Sequence, residues 1–272
     1  MTARFADPQT PKARHRHDRR FASLRSIGAL MLREMATSYG KSPGGYLWAI
    51  LEPVAGVAVL TFSFSFVFAK PPLGTSFELF YATGTLPFFM FITITNRVSR
   101  SLLHSKPLLA YPAVTYVDAL IANFLVSALT ELLVFYVVIL GILALYDTRA
   151  VVDTMLVAQL ALTALFALGG GVVNSYLFVR WHVWHVGWSV MSRPLFIISG
   201  VFFMYDALPA DLKEWIWFNP LIHVVGLMRA GFYPTYSDHY VSVLYVCGVS
   251  LVLILLALRL LHWNVKWLLH ET

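Results

Sequence analysis

The sequence predicts an all-α integral membrane protein with six transmembrane helices, an N-terminal interfacial amphipathic helix and a periplasmic re-entrant helical hairpin before the last span. Of its 272 residues, 58% are hydrophobic and only 12% are charged. A soluble domain with so little charge could not cover its surface with polar groups. Apolar windows long enough to cross a bilayer recur along the chain, separated by short polar segments. The chain is therefore predicted to be a polytopic membrane protein.

The predicted spans are windows of high hydropathy that end at charges and prolines. Lys70-Pro71-Pro72 ends the first window, and Asn96-Arg97 ends the second. No fixed-period repeat is visible, which argues against inverted-repeat transporter folds. Residues 46–272 are assigned to one six-span permease domain. The six spans cover residues 46–68, 79–95, 119–145, 155–179, 187–204 and 241–261.

Two segments precede the first span. Residues 1–20 are basic and polar and lack the apolar core of a signal peptide, so we expect a disordered cytoplasmic tail. Residues 21–45 contain a predicted interfacial helix, which is broken at Lys41-Ser42-Pro43-Gly44-Gly45. Its apolar face consists of Phe21, Leu24, Ile27, Gly28, Met31 and Met35.

The placement of lysine and arginine predicts the orientation. Only Lys70, Arg149, Lys213 and Arg229 fall on one side of the predicted spans, and the other basic residues outside the membrane fall on the opposite side. The positive-inside rule then places both termini in the cytoplasm.

The segment from Ser199 to Pro234 faces outward in this topology. Leu221–Phe232 would form a helix of about 18 Å, too short for a hydrocarbon core of roughly 30 Å. We predict that Pro209, Asn219 and Pro220 break the segment into two short helices, which dip into the membrane and return. A plain surface loop with two amphipathic helices is the alternative.

Ionisable residues inside predicted spans are costly, so each should have a partner or a water-lined site. Glu52 and Arg193 each lie six residues into their spans, about 9 Å from the cytoplasmic side, whereas Glu131 is estimated to lie deeper. We predict an intramembrane Glu52–Arg193 charge pair, within one subunit or across a dimer. In the competing interpretation, Arg193 is free to bind substrate anions and Glu52 faces water.

Catalytic and metal motifs are weak or absent. The sequence contains no Gly-x-x-x-x-Gly-Lys-Ser/Thr phosphate loop and no Gly-x-Ser-x-Gly elbow, so we predict neither a catalytic site nor a nucleotide site in this chain. His182 and His185 without a carboxylate or cysteine make a poor metal site, and we predict none. Gly169-Gly170-Gly171 would let another helix approach closely.

Two groups of motifs, one near each end of the chain, resemble those of a known family. Early in the chain stand Leu32-Arg33-Glu34, Tyr39-Gly40-Lys41-Ser42, Gly45-Tyr46-Leu47-Trp48 and Glu52-Pro53; late in it stand Ser199-Gly200-Val201-Phe202-Phe203, Leu208-Pro209, Asn219-Pro220-Leu221, His223 and Arg229. Together they resemble the membrane subunits of type-two ABC exporters. Arg193-Pro194 is similar to the branch that contains the inner-membrane permeases for capsular polysaccharide, whereas residues 179–185 depart from the Arg-Asp of O-antigen permeases.

The resemblance implies a homodimer in the bacterial inner membrane, with two cytoplasmic ATP-binding subunits that hold ATP and Mg²⁺. It implies export of an acidic, lipid-linked capsular polysaccharide, with a periplasmic co-export protein and an outer-membrane channel as further partners and no nucleic acid. An O-antigen or teichoic-acid exporter and a small-molecule exporter remain alternatives. A membrane enzyme acting on a polyprenyl-linked sugar is a third, but it would need paired carboxylates facing one cavity.

Site residues follow from the predicted topology and the resemblance. We expect contact with the ATPase at polar cytoplasmic positions, and a substrate path of arginines and aromatic rings that suits a polyanionic chain. The ATPase-contact residues are Arg33, Glu34, Tyr39, Lys41, Arg97, Arg100, His104 and Lys106. The substrate-path residues are Tyr46, Trp48, Trp188, Arg193 and Arg229.

Overall fold

The regular structure of the protein is helical. A computed structural model describes residues 22–39, 44–109, 114–146 and 156–270. Within these ranges the chain forms nine α-helices and no β-strand, and a short 3₁₀ turn, Tyr205–Ala207, precedes α7. The helices are α1 (Ala22–Tyr39), α2 (Gly45–Ser65), α3 (Phe77–Leu109), α4 (Tyr116–Tyr146), α5 (Leu156–Arg180), α6 (Trp184–Ile198), α7 (Ala210–Trp217), α8 (Pro220–Phe232) and α9 (Val243–His270). The predicted tail at residues 1–20 lies outside the described residues.

Five helices of the described chain, α2 to α5 and α9, are long and apolar enough to cross a membrane. The membrane class and five of the six predicted spans are therefore confirmed. The predicted span at residues 187–204 is not one helix, because α6 ends at Ile198 after 15 residues. Gly200 follows with φ +85° and lies against Ile222, so the chain turns where the next turn of helix would be needed.

The predicted end of the second span is wrong. Residues 79–95 form only the first part of α3, which continues past Asn96 and Arg97 to Leu109. The polar residues there have partners: the Ser101 hydroxyl donates to the Val98 carbonyl at 2.7 Å, and Asn96 accepts a bond from Trp188. Polar side chains that are satisfied within the protein do not have to end a helix at the membrane surface.

Helix α3 is the centre of the fold, and it packs most extensively against α5, α4 and α2. Two of the three glycines of α5, Gly169 and Gly171, allow close approaches by neighbouring helices, as their pattern predicted. A Cβ on Gly171 would lie 2.7 Å from the Val98 Cβ of α3, and one on Gly169 would lie 3.0 Å from the Ser250 carbonyl oxygen of α9. At these contacts α5 crosses α3 and α9 closely because glycine has no side chain, which confirms the predicted close approach.

Helix α1 packs against the beginning of α4. Leu30 is buried against Ala119 and Ala122, with Ile27 and Met31 beside it. The apolar face that hydropathy predicted omitted Leu30. The first turns of α4 thus lie beside α1, and the interfacial position of α1 stays a prediction.

Candidate functional site

The segment between α6 and α9 is broken where the sequence predicted. Helix α7 ends at Trp217, and α8 begins at Pro220, whose missing N–H costs nothing at the first helical position. The Asn219 side chain caps α8 by accepting a bond from the Leu221 N–H at 3.1 Å. Its amide also donates to the Ile198 carbonyl at 3.1 Å, so the break is tied to the end of α6.

Helix α8 is buried among longer helices rather than lying on a surface. It contacts α3, α5, α7 and α9, and most of its residues are buried. This packing argues against a plain surface loop. Pro209, by contrast, is exposed and directly precedes α7.

Arg229 fastens α8 to the extended segment after α6. Its side chain is only 1% exposed, and it donates to the Phe203 carbonyl at 2.8 Å and to the Val201 carbonyl at 3.0 Å. The guanidinium carbon lies 4.4 Å from the centre of the Phe80 ring, which adds a cation–π contact. Carbonyl partners solve the desolvation problem of a buried arginine without an acidic residue. We name Arg229, Val201, Phe203 and Phe80 the arginine clamp.

His223 bridges the beginning of α8 to the segment before α9. Its Nε2 donates to the Trp217 carbonyl at 2.8 Å, while its Nδ1 accepts from the Ser242 N–H at 3.3 Å. This pattern requires the neutral ring with the proton on Nε2.

An aromatic cluster covers this end of the protein. The rings of Tyr205 and Tyr240 stack with centres 4.0 Å apart, and the Tyr205 hydroxyl donates to the Lys213 carbonyl at 3.2 Å. Burial, followed by the nearby Asp206 carboxylate, raises the pKa of Tyr205, so its hydroxyl remains a donor at physiological pH.

The predicted Glu52–Arg193 pair is not a contact within the described chain. Both side chains are exposed on the surface of the single subunit, Glu52 on α2 and Arg193 on α6. An ion pair within the described residues instead joins His239 to Asp206 at 3.8 Å. A pair across a dimer stays a prediction.

Glu52 instead lies within electrostatic range of Glu131, which also interacts with Arg97. The relative depths of Glu52 and Glu131 in the membrane stay a prediction. Glu131 is buried, whereas Glu52 is exposed.

The predicted ATPase-contact residues meet neighbouring helices at one end of the bundle. Arg33 of α1 donates to the His104 carbonyl of α3 at 3.4 Å, and Arg100 donates to His185 Nε2 at 3.3 Å. Glu34 is half-buried on α1, and Arg97 lies one turn from Arg100. Lys41 and the side chains of Tyr39 and Lys106 lie outside the described residues.

The predicted substrate-path residues differ in how far they are buried. Trp188 donates to the Asn96 side chain at 2.8 Å, which joins α6 to α3. Trp48 is 63% exposed on α2, and Arg193 is exposed on α6, whereas Arg229 lies inside the protein. The side chain of Tyr46 lies outside the described residues.

Sequence reasoning missed the polar partners of the α6 tryptophans. Trp184 donates to the Asn174 side chain at 2.9 Å, as Trp188 does to Asn96. Two asparagines inside apolar windows are a signal that could have been found, because an amide at membrane depth needs a partner. Within the described residues, no group of three or more His, Cys, Asp or Glu side chains could hold a metal ion.

Comparison with known proteins decides the family. The model of the ABC-2 type transporter family matches residues 25–233 of the chain. The chain belongs to this family. It is a membrane subunit, a transport component rather than the ATPase, so the earlier resemblance is confirmed and the alternative of a membrane enzyme is set aside.

Several characterised relatives are similar over most of the chain. The polysialic acid transport protein KpsM of Escherichia coli is 29% identical over 236 residues, covering 86% of this chain and 92% of the relative. The capsule polysaccharide export inner-membrane protein CtrC of Neisseria meningitidis serogroup A is 30% identical, covering 86% and 89%. The capsule polysaccharide export inner-membrane protein BexB of Haemophilus influenzae is 28% identical, with the same coverage of 86% and 89%.

Proposed function

We propose that this chain is the membrane subunit of an ATP-driven exporter that moves an acidic, lipid-linked capsular polysaccharide from the cytoplasm to the periplasm. The observation that carries the proposal is similarity over 86% of the chain to proteins named for polysialic acid transport and capsule polysaccharide export. Polysialic acid bears a carboxylate on each sugar, which supports an acidic polymer as substrate.

We propose a position in the bacterial inner membrane with both termini in the cytoplasm. The relatives CtrC and BexB are named as inner-membrane proteins. If α6 and residues 199–204 together make a sixth crossing beside the five long helices, the termini lie on the same side. The placement of lysine and arginine supports the cytoplasmic side. Helices α7 and α8 then form the re-entrant hairpin at the periplasmic face.

The hairpin can be tested by labelling. Trp215→Cys and Thr235→Cys, at exposed positions on either side of α8, are each made in a chain without Cys247 and treated with an impermeant thiol reagent from the periplasm. In a hairpin, both positions label from the periplasmic side and neither labels from the cytoplasm. Labelling of the two positions from opposite faces of the membrane would rule it out.

We propose that two copies of the chain form a homodimer through α2 and α6, with the translocation path between them. Few side chains of α2 are buried in the single subunit, and none of α6 is. Leu47 and Trp48 of α2 are 65% and 63% exposed. Such apolar helices need either lipid or a second subunit to cover them.

The proposed dimer would let Glu52 of one copy pair with Arg193 of the other. Glu52→Gln and Arg193→Gln should each lower dimer recovery or export, and the double variant should be less harmful than the sum. Additive losses would instead leave Arg193 as a group that binds substrate anions. Export of an acidic polymer that survives both substitutions would remove both roles.

We propose that the cytoplasmic end of the bundle contacts two ATP-binding subunits, which hold ATP and Mg²⁺. The contacts of Arg33 with His104 and of Arg100 with His185 place basic groups from different helices at one end. Charge reversal at Arg33 or Arg100 should reduce co-purification of the ATPase. Lys213→Glu, at the opposite end, is the matched control. Unchanged recovery of the ATPase in both variants would contradict the proposal.

The overall function is tested by complementation. An encapsulated bacterium that lacks its own permease receives this chain together with the ATPase encoded beside it. We expect capsule at the surface, and we expect the lipid-linked polymer to stop accumulating in the cytoplasm. Surface polymer should also require a periplasmic co-export protein and an outer-membrane channel. Normal ATPase association without any polymer export would refute the proposed substrate class but not the transporter family.

We propose that Tyr46, Trp48, Trp188 and Arg193 line the path, with aromatic rings that stack on sugars and an arginine that attracts the polyanion. Arg229 shares this role only if the arginine clamp opens during transport. The Trp188–Asn96 bond supports a fixed ring orientation at the α6–α3 contact.

A further inference from the structure

A cavity of about 440 Å³ lies between α2 and α4 and is closed at one end by the beginning of α3. Its volume falls within the range of roughly 300–1,000 Å³ that small-molecule sites occupy. The lining is almost entirely apolar and includes Val57 and Ala58 of α2 with Val138 and Ile142 of α4. None of the residues proposed for the substrate path or for the ATPase contact lines it.

The cavity has the depth of one lipid leaflet. Its lining on α2 runs from Val54 to Ser65, a rise of about 17 Å along a helix. This is about half of the roughly 30 Å thickness of the hydrocarbon core. Phe62 and Leu145, at its rim, are 67% and 82% exposed, so the cavity opens sideways toward the lipid that surrounds the bundle. A hydrocarbon chain fits both the lining and the direction of the opening.

Polar groups occur at the end of the cavity that lies nearest the membrane surface. Glu78, in the first turn of α3, lines it, and its carboxylate accepts a bond from the Ser76 hydroxyl at 2.9 Å. Thr61 lies about one helical turn before Ser65, and its buried hydroxyl has no partner within the described chain. Among the described residues that line the cavity there is no lysine or arginine. The charge at this end therefore suits an ammonium group and disfavours an anionic headgroup.

We propose that the cavity binds a glycerophospholipid with an ammonium headgroup, of the phosphatidylethanolamine class. The ammonium pairs with the Glu78 carboxylate, and rotation about χ1 of Thr61 turns its buried hydroxyl toward an ester carbonyl one turn deeper. One acyl chain follows Val57 and Val138 toward the middle of the membrane. The bound lipid fills the space between α2 and α4 and supports the exposed helix α2. The proposed orientation places this end of α2 in the outer leaflet, and that assignment alone rests on the proposed function.

The experiment compares lipid retention by the purified full-length chain. The protein is incubated with equimolar phosphatidylethanolamine and phosphatidylglycerol of identical acyl chains, and native mass spectrometry measures the bound lipids. We expect a preference for phosphatidylethanolamine on the order of fivefold, because a half-exposed carboxylate is partly screened. The proposal is overturned if the two lipids are retained equally. It is also overturned if the anionic lipid, or the lipid anchor of the polysaccharide, displaces phosphatidylethanolamine.

Three variants separate the parts of the site. Glu78→Gln should abolish the headgroup preference, and Thr61→Val should lower retention of both lipids without changing their ratio. Gly141→Leu should block the site, since Gly141 lines the cavity and a Cβ there meets no atom within 4 Å. Gly248→Leu on α9 is the matched control, because a Cβ there is equally unobstructed. Wild-type retention in Gly141→Leu, or a preserved preference in Glu78→Gln, contradicts the proposal.

Discussion

Replacing Arg229 by methionine should destabilise the protein while preserving most of the volume of the side chain. The substitution removes the donors to two carbonyls, those of Val201 and Phe203. Each carbonyl left buried without a partner costs about 1–3 kcal/mol, and the lost contact with the Phe80 ring adds up to roughly 2 kcal/mol. Relief from burying a guanidinium offsets several kcal/mol of this. A net loss of about 3 kcal/mol in the free energy of unfolding remains.

The assay is thermal unfolding of the purified protein in detergent. A loss of about 3 kcal/mol corresponds to a fall in Tm of roughly 6–12 °C for a chain of this size class. Arg259→Met is the matched control, because the Arg259 guanidinium carbon also lies 4.4 Å from an aromatic ring, that of Trp263, but on an exposed part of α9. If Arg229→Met melts within 1 °C of Arg259→Met, the arginine clamp does not stabilise the fold.

Arg229→Lys separates the structural role of Arg229 from a role in transport. Lysine keeps the charge but cannot present two fork-like donors to two carbonyls at once. A structural clamp predicts an intermediate melting temperature with export reduced in proportion to the amount of folded protein. Wild-type stability combined with loss of export would instead place Arg229 on the substrate path.

Two further predictions concern contacts between helices. Gly171→Ala should lower the free energy of unfolding by about 1–3 kcal/mol, because the new Cβ would lie 2.7 Å from the Val98 Cβ. Gly170→Ala should be nearly neutral, because the nearest atom to its new Cβ is Thr95 Oγ1 at 3.5 Å. Thermal unfolding of the two variants compares them directly. Trp188→Phe should cost roughly 1 kcal/mol by leaving the Asn96 amide without its donor, and equal stability of this variant and the wild type would show that water or lipid replaces the bond.

Much of the fold could be predicted because a bilayer restricts the possible structures severely. Long apolar windows must be helices, since no water satisfies the backbone there. The break at Asn219 and Pro220 was also predictable, because capping and the missing proline N–H act within a few residues. The close approach at Gly169 and Gly171 followed from residue size alone.

The ends of helices were harder to predict because they depend on partners far away in the sequence. Helix α3 continues past Asn96 because Trp188, on a different helix, donates to that side chain. Helix α6 stops early because Gly200 turns the chain toward α8. Hydropathy measures the cost of a polar group in lipid, but it cannot measure the relief that a buried partner provides.

The same limit explains the intramembrane charges. Depth along a span predicted that Glu52 would meet Arg193, but depth does not fix the face of a helix. In the single subunit, Glu52 on α2 lies within electrostatic range of Glu131, while Arg193 is exposed on α6. The buried Arg229 guanidinium donates to backbone carbonyls, and the pattern of side chains in the sequence does not reveal such partners. A buried charge in this fold is therefore satisfied by whatever polar atom the packing brings within reach, and two opposite charges at one predicted depth are insufficient evidence of a pair.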